Sequence, residues 1–254
     1  MPARLIFRFL PLLCAAVLFG ATLPSAAAAR CLPQNLVIAV DAGHGPKRSG
    51  ATSATGVPEY AFNRRLAAEV VAALQAAGFT KAFLLDPQGS DLPPAVRATR
   101  ANAARAGLLL SFHHDAVQPQ FLTSWTVDGA TRRYCDAYAG YSLFFSGRNP
   151  QAAVSLALAK DIGSQLRAAG YGFTRHHAAD IPGERRPLVD DSVGVYRYDG
   201  LAVLARARMP AVLLEAGVIV NREEEKALAG RERQEKTAAA VARGVAAWCA
   251  ADKP

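Results

Sequence analysis

NLVIAVD, residues Asn35 to Asp41, runs directly into Ala42-Gly43-His44-Gly45, and the fold is decided by how this stretch is read. A short β-branched apolar run reads as a buried strand, and the glycines after it mark a tight loop. The loop continues to about Pro58. From Glu59 onward, Phe62, Leu66, Val70, Ala73 and Ala77 recur at three- and four-residue spacing, which predicts a helix with one apolar face stopped by Gly78. Lys81 to Asp86 (KAFLLD) is a second strand, the segment from about Pro94 to Ala106 a second helix, and Leu108 to His113 a third strand. The order is β-α-β-α-β.

Further along, Tyr141 to Ser146 and Ala211 to Glu215 (AVLLE) read as strands. Between them Ala152 to Ala168 is helical, with Val154, Leu158, Ile162 and Leu166 on one stripe and Gly170 as the stop. Asn221 is the expected cap of a final helix, with Glu224 in capping-box position. Two stretches break the rhythm, about 117–140 and 171–198, and are read as irregular insertions; either is placed to restrict access to a site. Strands alternating with helices imply a single α/β domain, a mainly parallel sheet with helices on both faces.

Residues 1 to about 29 have the three-part form of a secretory signal: Arg4 and Arg8, an apolar run from Phe9 to Leu23, then Ser25-Ala26-Ala27-Ala28-Ala29. Roughly 15 apolar residues fall short of the roughly 20 that span a bilayer, so cleavage is expected over anchoring, with no stable membrane insertion afterwards. The domain then runs over 30–254. The formal net charge is +8, with 29 basic and 21 acidic residues. The leader carries two of the basic ones and none of the acidic ones, which leaves +6. The basic residues form no Lys/Arg tract and interleave with no aromatics, so nucleic acid is not the expected partner. An exported basic protein fits an anionic wall polymer better. Of Cys31, Cys135 and Cys249, the first precedes the opening strand and the last lies in the last helix. Because domain termini often lie close together, a Cys31–Cys249 bridge is the expectation.

Ligands of open parallel sheets gather at the carboxyl ends of the strands. His44, His113 and Glu215 each sit at such an end, and Glu59 stands where the first loop becomes a helix. Two imidazoles and one carboxylate are a common catalytic zinc set, because three protein ligands leave one tetrahedral position open. Glu215, a carboxyl at an apolar strand end, is suited to proton transfer. His114 adjoins His113. Alternation along a strand sends the two to opposite faces, so only one of them can point at a metal.

Val40-Asp41-Ala42-Gly43-His44-Gly45, Gly50-Ala51 and Gly56-Val57-Pro58-Glu59 resemble the opening signature of zinc-dependent N-acetylmuramoyl-L-alanine amidases of the Amidase_3 type. Arg97 to Asn102 (RATRAN), Ser111 to Ala116 (SFHHDA) and Pro210 to Asn221 (PAVLLEAGVIVN) resemble further blocks of that family, in the same order. The resemblance implies about six strands and one zinc ion, with peptidoglycan as substrate and cleavage between N-acetylmuramic acid and L-alanine of the stem peptide. By position it assigns His44, Glu59 and His113 to the metal and Glu215 to catalysis. Pro46 departs from the family glycine. His176 and His177 fall outside every matched block and read as exposed loop histidines. Arg97 is a candidate for a substrate carboxylate, whereas Arg185 and Arg186 read as a solvated basic loop. The competing functions are a zinc peptidase acting within the stem peptide and an inactive wall-binding module. The sequence identifies no protein activator.

Overall fold

The computed structural model describes Met1 and residues 31–251. The leader reading therefore lies outside the described residues. Ile38–Ala42 forms β1, Glu59–Ala76 α1, Ala82–Leu84 β2, Pro94–Ala103 α2 and Leu108–Asp115 β3. Thr123–Val127 (β4) and Ala130–Tyr134 (β5) form a separate hairpin, followed by β6 (Ser142–Phe145), α3 (Ala152–Ala168), β7 (Leu188–Asp190) and β8 (Val195–Arg197). The chain ends through α4 (Ala202–Ala205), β9 (Ala211–Val218), α5 (Arg222–Ala229) and α6 (Arg231–Ala250).

The main sheet has seven strands in the order β2-β1-β3-β9-β6-β8-β7. The count agrees with the figure of about six expected from the resemblance; five of the seven are the strands read from the sequence, and β7 and β8, three residues each, lie inside the segment read as irregular. β2, β1, β3 and β9 are parallel, β6 runs antiparallel to β9, and β7 antiparallel to β8. Side chains alternate across a strand, so residue parity sorts the core into two layers. Ile38, Val40, Leu108, Leu110, Val212 and Leu214 pack under α1, α3 and α6. Ala39, Leu109, Phe144 and Leu213 pack on the opposite face with Ala101 of α2 and Leu204 of α4. Each such Leu, Val or Ile taken fully out of water stabilises the fold by about 1.5–3 kcal/mol. The α1 stripe is Phe62, Leu66, Val70 and Leu74, so it ends at Leu74 and not at Ala77 as the spacing suggested.

Asp128 and Gly129 both have positive φ, 50° and 73°, which is the two-residue turn whose twist suits a hairpin. The first irregular insertion is thus largely β4 and β5. The last helix is two helices broken at Gly230. Asn221 caps α5, its side chain accepting from the Glu223 and Glu224 N–H groups. The Glu224 carboxylate does not close a capping box; it accepts instead from Gly140 N–H and Val218 N–H and so ties the strand end to the insertion. Cys31 and Cys249 form a disulfide, as their placement at the two ends of the domain predicted, and Cys135 is a buried free thiol. No helix among the described residues is long and apolar enough to cross a membrane.

Candidate metal centre

The site is built where β1, β3 and β9 end. Leaving β1, the chain turns through His44, a non-glycine residue at φ 67°. That left-handed conformation costs roughly 1–2 kcal/mol for an ordinary residue, and Arg97 of α2 holds it in place. The Arg97 guanidinium donates to Asp41 Oδ1 (2.6 Å), to the Ala42 carbonyl (2.6 Å), to the Leu92 carbonyl (2.9 Å) and to the His44 carbonyl. Ser111 Oγ donates to the other Asp41 oxygen at 2.8 Å. Arg97 is 4% exposed, so it braces the loop and is not free to take a substrate carboxylate, contrary to the expectation for it.

Glu59 is the first residue of α1, where the helix dipole favours a carboxylate. Its Oε2 lies 3.1 Å from His44 Nε2 and accepts from Ala51 N–H at 3.0 Å. Its Oε1 lies 3.0 Å from His113 Nδ1 and accepts from Asn63 Nδ2 at 2.9 Å. Burial by itself would raise the Glu59 carboxyl, but hydrogen bonds and charge from His113 and His44 outweigh it and hold the group well below the usual carboxylate range. The two imidazoles stand edge to face with centroids 4.8 Å apart. His44, Glu59 and His113 together offer three ligand atoms within 4.8 Å of one another.

Glycine makes this approach possible. A β-carbon on Gly43 would lie 2.1 Å from His113 Nε2, and one on Gly50 would lie 2.3 Å from Glu59 Oε2 and 2.6 Å from the His44 ring. Parity decides between the adjacent histidines. His113 lies on the face of Leu109 and Ser111, toward the site. His114 lies on the other face, buried against Phe62, with Nδ1 2.7 Å from Asn63 Oδ1. Burial pushes His114 down to about 3, so it stays neutral.

Glu215 is the direct register partner of His113 across the β3/β9 pair. Its Oε2 is sealed from solvent with no hydrogen-bond partner. Burial first, then the charges of Asp115 and Glu59, raise its carboxyl well above the usual value. Glu215 lines a cleft of about 510 Å³ together with Asp41, His44, Arg97 and His113. It also lines a smaller cavity of about 200 Å³ with Asp115, His177, Glu184, Arg186 and Tyr198. A larger space, about 710 Å³, opens beside Cys31 and Trp248 near the amino ends of β3 and β9, away from all of these groups.

His176 and His177 are not exposed loop residues: they are 2% and 9% exposed. Their Nε2 atoms lie 3.2 and 2.8 Å from Asp115 Oδ2. Residue spacing concealed this, because 61 positions separate Asp115 from His176 and the approach depends on how the second insertion folds back over β3. Arg185 is exposed and pairs with Asp180, as a solvated loop residue should, while Arg186 donates to the Gly183 and Glu184 carbonyls and covers the Tyr198 ring.

The sequence matches the N-acetylmuramoyl-L-alanine amidase family, Amidase_3, over residues 38–247. The chain belongs to this family. Its similarity to N-acetylmuramoyl-L-alanine amidase Rv3717 of Mycobacterium tuberculosis is 27% identity, covering 92% of this chain and 96% of that one. N-acetylmuramoyl-L-alanine amidase AmiC of Escherichia coli is 24% identical over 85% of this chain, which spans 53% of the length of AmiC. The crystal structure of the N-acetylmuramyl-L-alanine amidase Ami1 from Mycobacterium smegmatis superposes with a TM-score of 0.65 over 85% of this chain and 97% of Ami1, at 22% identity, a likeness of fold. The Amidase_3 chain is thus a hydrolase of a peptidoglycan amidase family on an α/β fold shared with solved relatives.

Proposed function

We propose that this enzyme is an exported, zinc-dependent amidase that cleaves peptidoglycan between the lactyl group of N-acetylmuramic acid and L-alanine of the stem peptide. The observation that carries the reading is the convergence of His44, Glu59 and His113, each offering a ligand atom within 4.8 Å of the others, where His44 and His113 line one cleft with Glu215. The donor set fits zinc. It has two imidazoles and one carboxylate, and glycine loops keep side chains off the ligand atoms. Asn63 and Ala51 supply the hydrogen bonds that orient Glu59 from behind, as outer partners do at metal sites.

When bound there, zinc supplies a Lewis acid and lowers the pKa of its water to roughly 7. Glu215 does the proton work. Its carboxylate takes a proton from the attacking water and delivers it to the departing nitrogen of L-alanine, a role suited to a carboxyl whose proton affinity burial has raised. Arg97 holds the His44 carbonyl and hence the imidazole's position. The leader at residues 1–29 and the wall substrate together support action in the cell envelope, with 30–254 as the catalytic unit.

The test is product analysis on purified wall fragments. New free lactyl-muramic ends are expected; new peptide ends in their place would make the enzyme a stem peptidase. Glu215→Gln should lower kcat by about 10²–10⁴ while zinc content stays at the wild-type level. Unchanged turnover in that variant would remove Glu215 from the mechanism, and no turnover in the wild type would leave a wall-binding module.

A further inference from the structure

His176 and His177 have no part in the chemistry above, and Asp115 enters it only through its charge on Glu215. The three inward atoms of this cluster, Asp115 Oδ2, His176 Nε2 and His177 Nε2, are buried and have no hydrogen-bond partner. They nevertheless lie 2.8 and 3.2 Å apart across Asp115. The distances are those of ion pairs, but the three atoms lack hydrogen-bond alignment, and one ligand atom from each residue lies within 4.8 Å of the others. Two ligand atoms on one tetrahedral zinc stand ~3.3 Å apart, given bonds near 2.0 Å, so the spacing suits a common ion.

The outward atoms are equally suggestive. His177 Nδ1 lies 3.1 Å from Glu184 Oε2, and Gln118 Nε2 donates to the other Glu184 oxygen at 2.8 Å. His176 Nδ1 lies 2.8 Å from Thr174 Oγ1. A carboxylate or hydroxyl on Nδ1 with Nε2 facing a cation is the arrangement found behind metal-binding histidines. Burial opposes a charge on His177, but Asp115 and Glu184 outweigh it and raise the ring to about 9, so a cation would bind in place of that proton. Packing fixes the rings as well: Phe144 meets His177 edge to face at 4.9 Å, and Tyr138 lies 5.2 Å from His176.

We propose that Asp115, His176 and His177 form a second divalent-cation site, of the zinc class, beside Glu215. Two imidazoles and one carboxylate select a borderline transition cation over calcium or magnesium, which take all-oxygen sets. The fourth position opens on the 200 Å³ cavity, whose wall includes Glu215. Glu215 therefore stands between two cation sites, lining the space in front of each. The inference does not depend on how the first cluster is used.

The experiment is a stoichiometric titration of the metal-free full chain with Co²⁺, followed by its visible absorption, with zinc content after dialysis as a second measure. The wild type should bind two equivalents, and His44→Ala and Asp115→Asn one each. The double variant should bind none, with circular dichroism confirming the fold throughout. A folded His44→Ala protein that binds no cobalt overturns the proposal. So does a wild type that binds one equivalent which Asp115→Asn retains; the cluster is then an Asp–imidazolium–Glu ion network. A wild type that binds one equivalent, kept by His44→Ala and lost by Asp115→Asn, upholds the second site and refutes the first.

Discussion

Replacing Arg97 by methionine tests whether the metal loop is held by the buried charge beneath it. Methionine has nearly the reach of arginine but donates nothing, so Asp41 Oδ1 and the carbonyls of Ala42, Leu92 and His44 all lose a donor. Asp41 is fully buried and would keep only the Ser111 hydroxyl. Removing one partner of a buried ion pair costs about 3–5 kcal/mol, because the remaining charge is left uncompensated. For a domain of this size about 2–4 °C accompanies each kcal/mol, so the melting temperature should fall by about 6–20 °C. The freed His44 carbonyl should also cost about 10–100-fold in zinc affinity, as loss of an outer partner does at metal sites. Adding Asp41→Asn should restore part of the stability, since the lone carboxylate is gone, but not the zinc affinity. Thermal unfolding and competitive zinc titration measure the two effects. A melting temperature within 2 °C of wild type (under about 1 kcal/mol) together with unchanged zinc affinity would refute the reasoning.

Gly50→Ala puts a β-carbon at φ 78° and 2.3 Å from Glu59 Oε2; it should weaken zinc binding by about tenfold or more, equal to about 1.4 kcal/mol, in calorimetric titration. Gly129→Ala, at φ 73° with nothing within 4 Å, carries similar backbone strain and should leave zinc binding unchanged. His114 is held neutral down to about pH 3, whereas its ordinary value is 6.5. The unfolded chain therefore binds the extra proton, and stability falls as pH drops below 6.5, with a slope of up to ~1.4 kcal/mol per pH unit; urea unfolding from pH 7 to 4 should show a shallower slope for His114→Gln. Replacing both Cys31 and Cys249 by serine opens a covalent loop with a sequence separation of 218 and should cost about 2–5 kcal/mol in the same assay.

Strand parity, which is local geometry, puts Ile38 with Val40 and Leu108 with Leu110, while the β1/β3 register decides that the two pairs share a layer. The same parity puts His113 and His114 on opposite faces, and strand ends by themselves brought His44, His113 and Glu215 to one edge of the sheet. The hairpin inside 117–140 was read as irregular, because its polar, half-exposed strands bury too little apolar surface to show a clear pattern; Asp128-Gly129 was the signal that could have revealed it. β7 and β8, at three residues each, are too short to carry a period. Sequence by itself determined the parallel α/β core and the family blocks, which follow from local propensity and from residues near one another along the chain, and the Cys31–Cys249 bridge, which follows from where the two ends of a domain tend to lie. Tertiary structure alone decided that β6 reverses against β9, that Arg97 is consumed by the His44 loop, and that His176 and His177 turn inward to Asp115. Those outcomes depend on contacts between residues 53 to 73 positions apart along the chain.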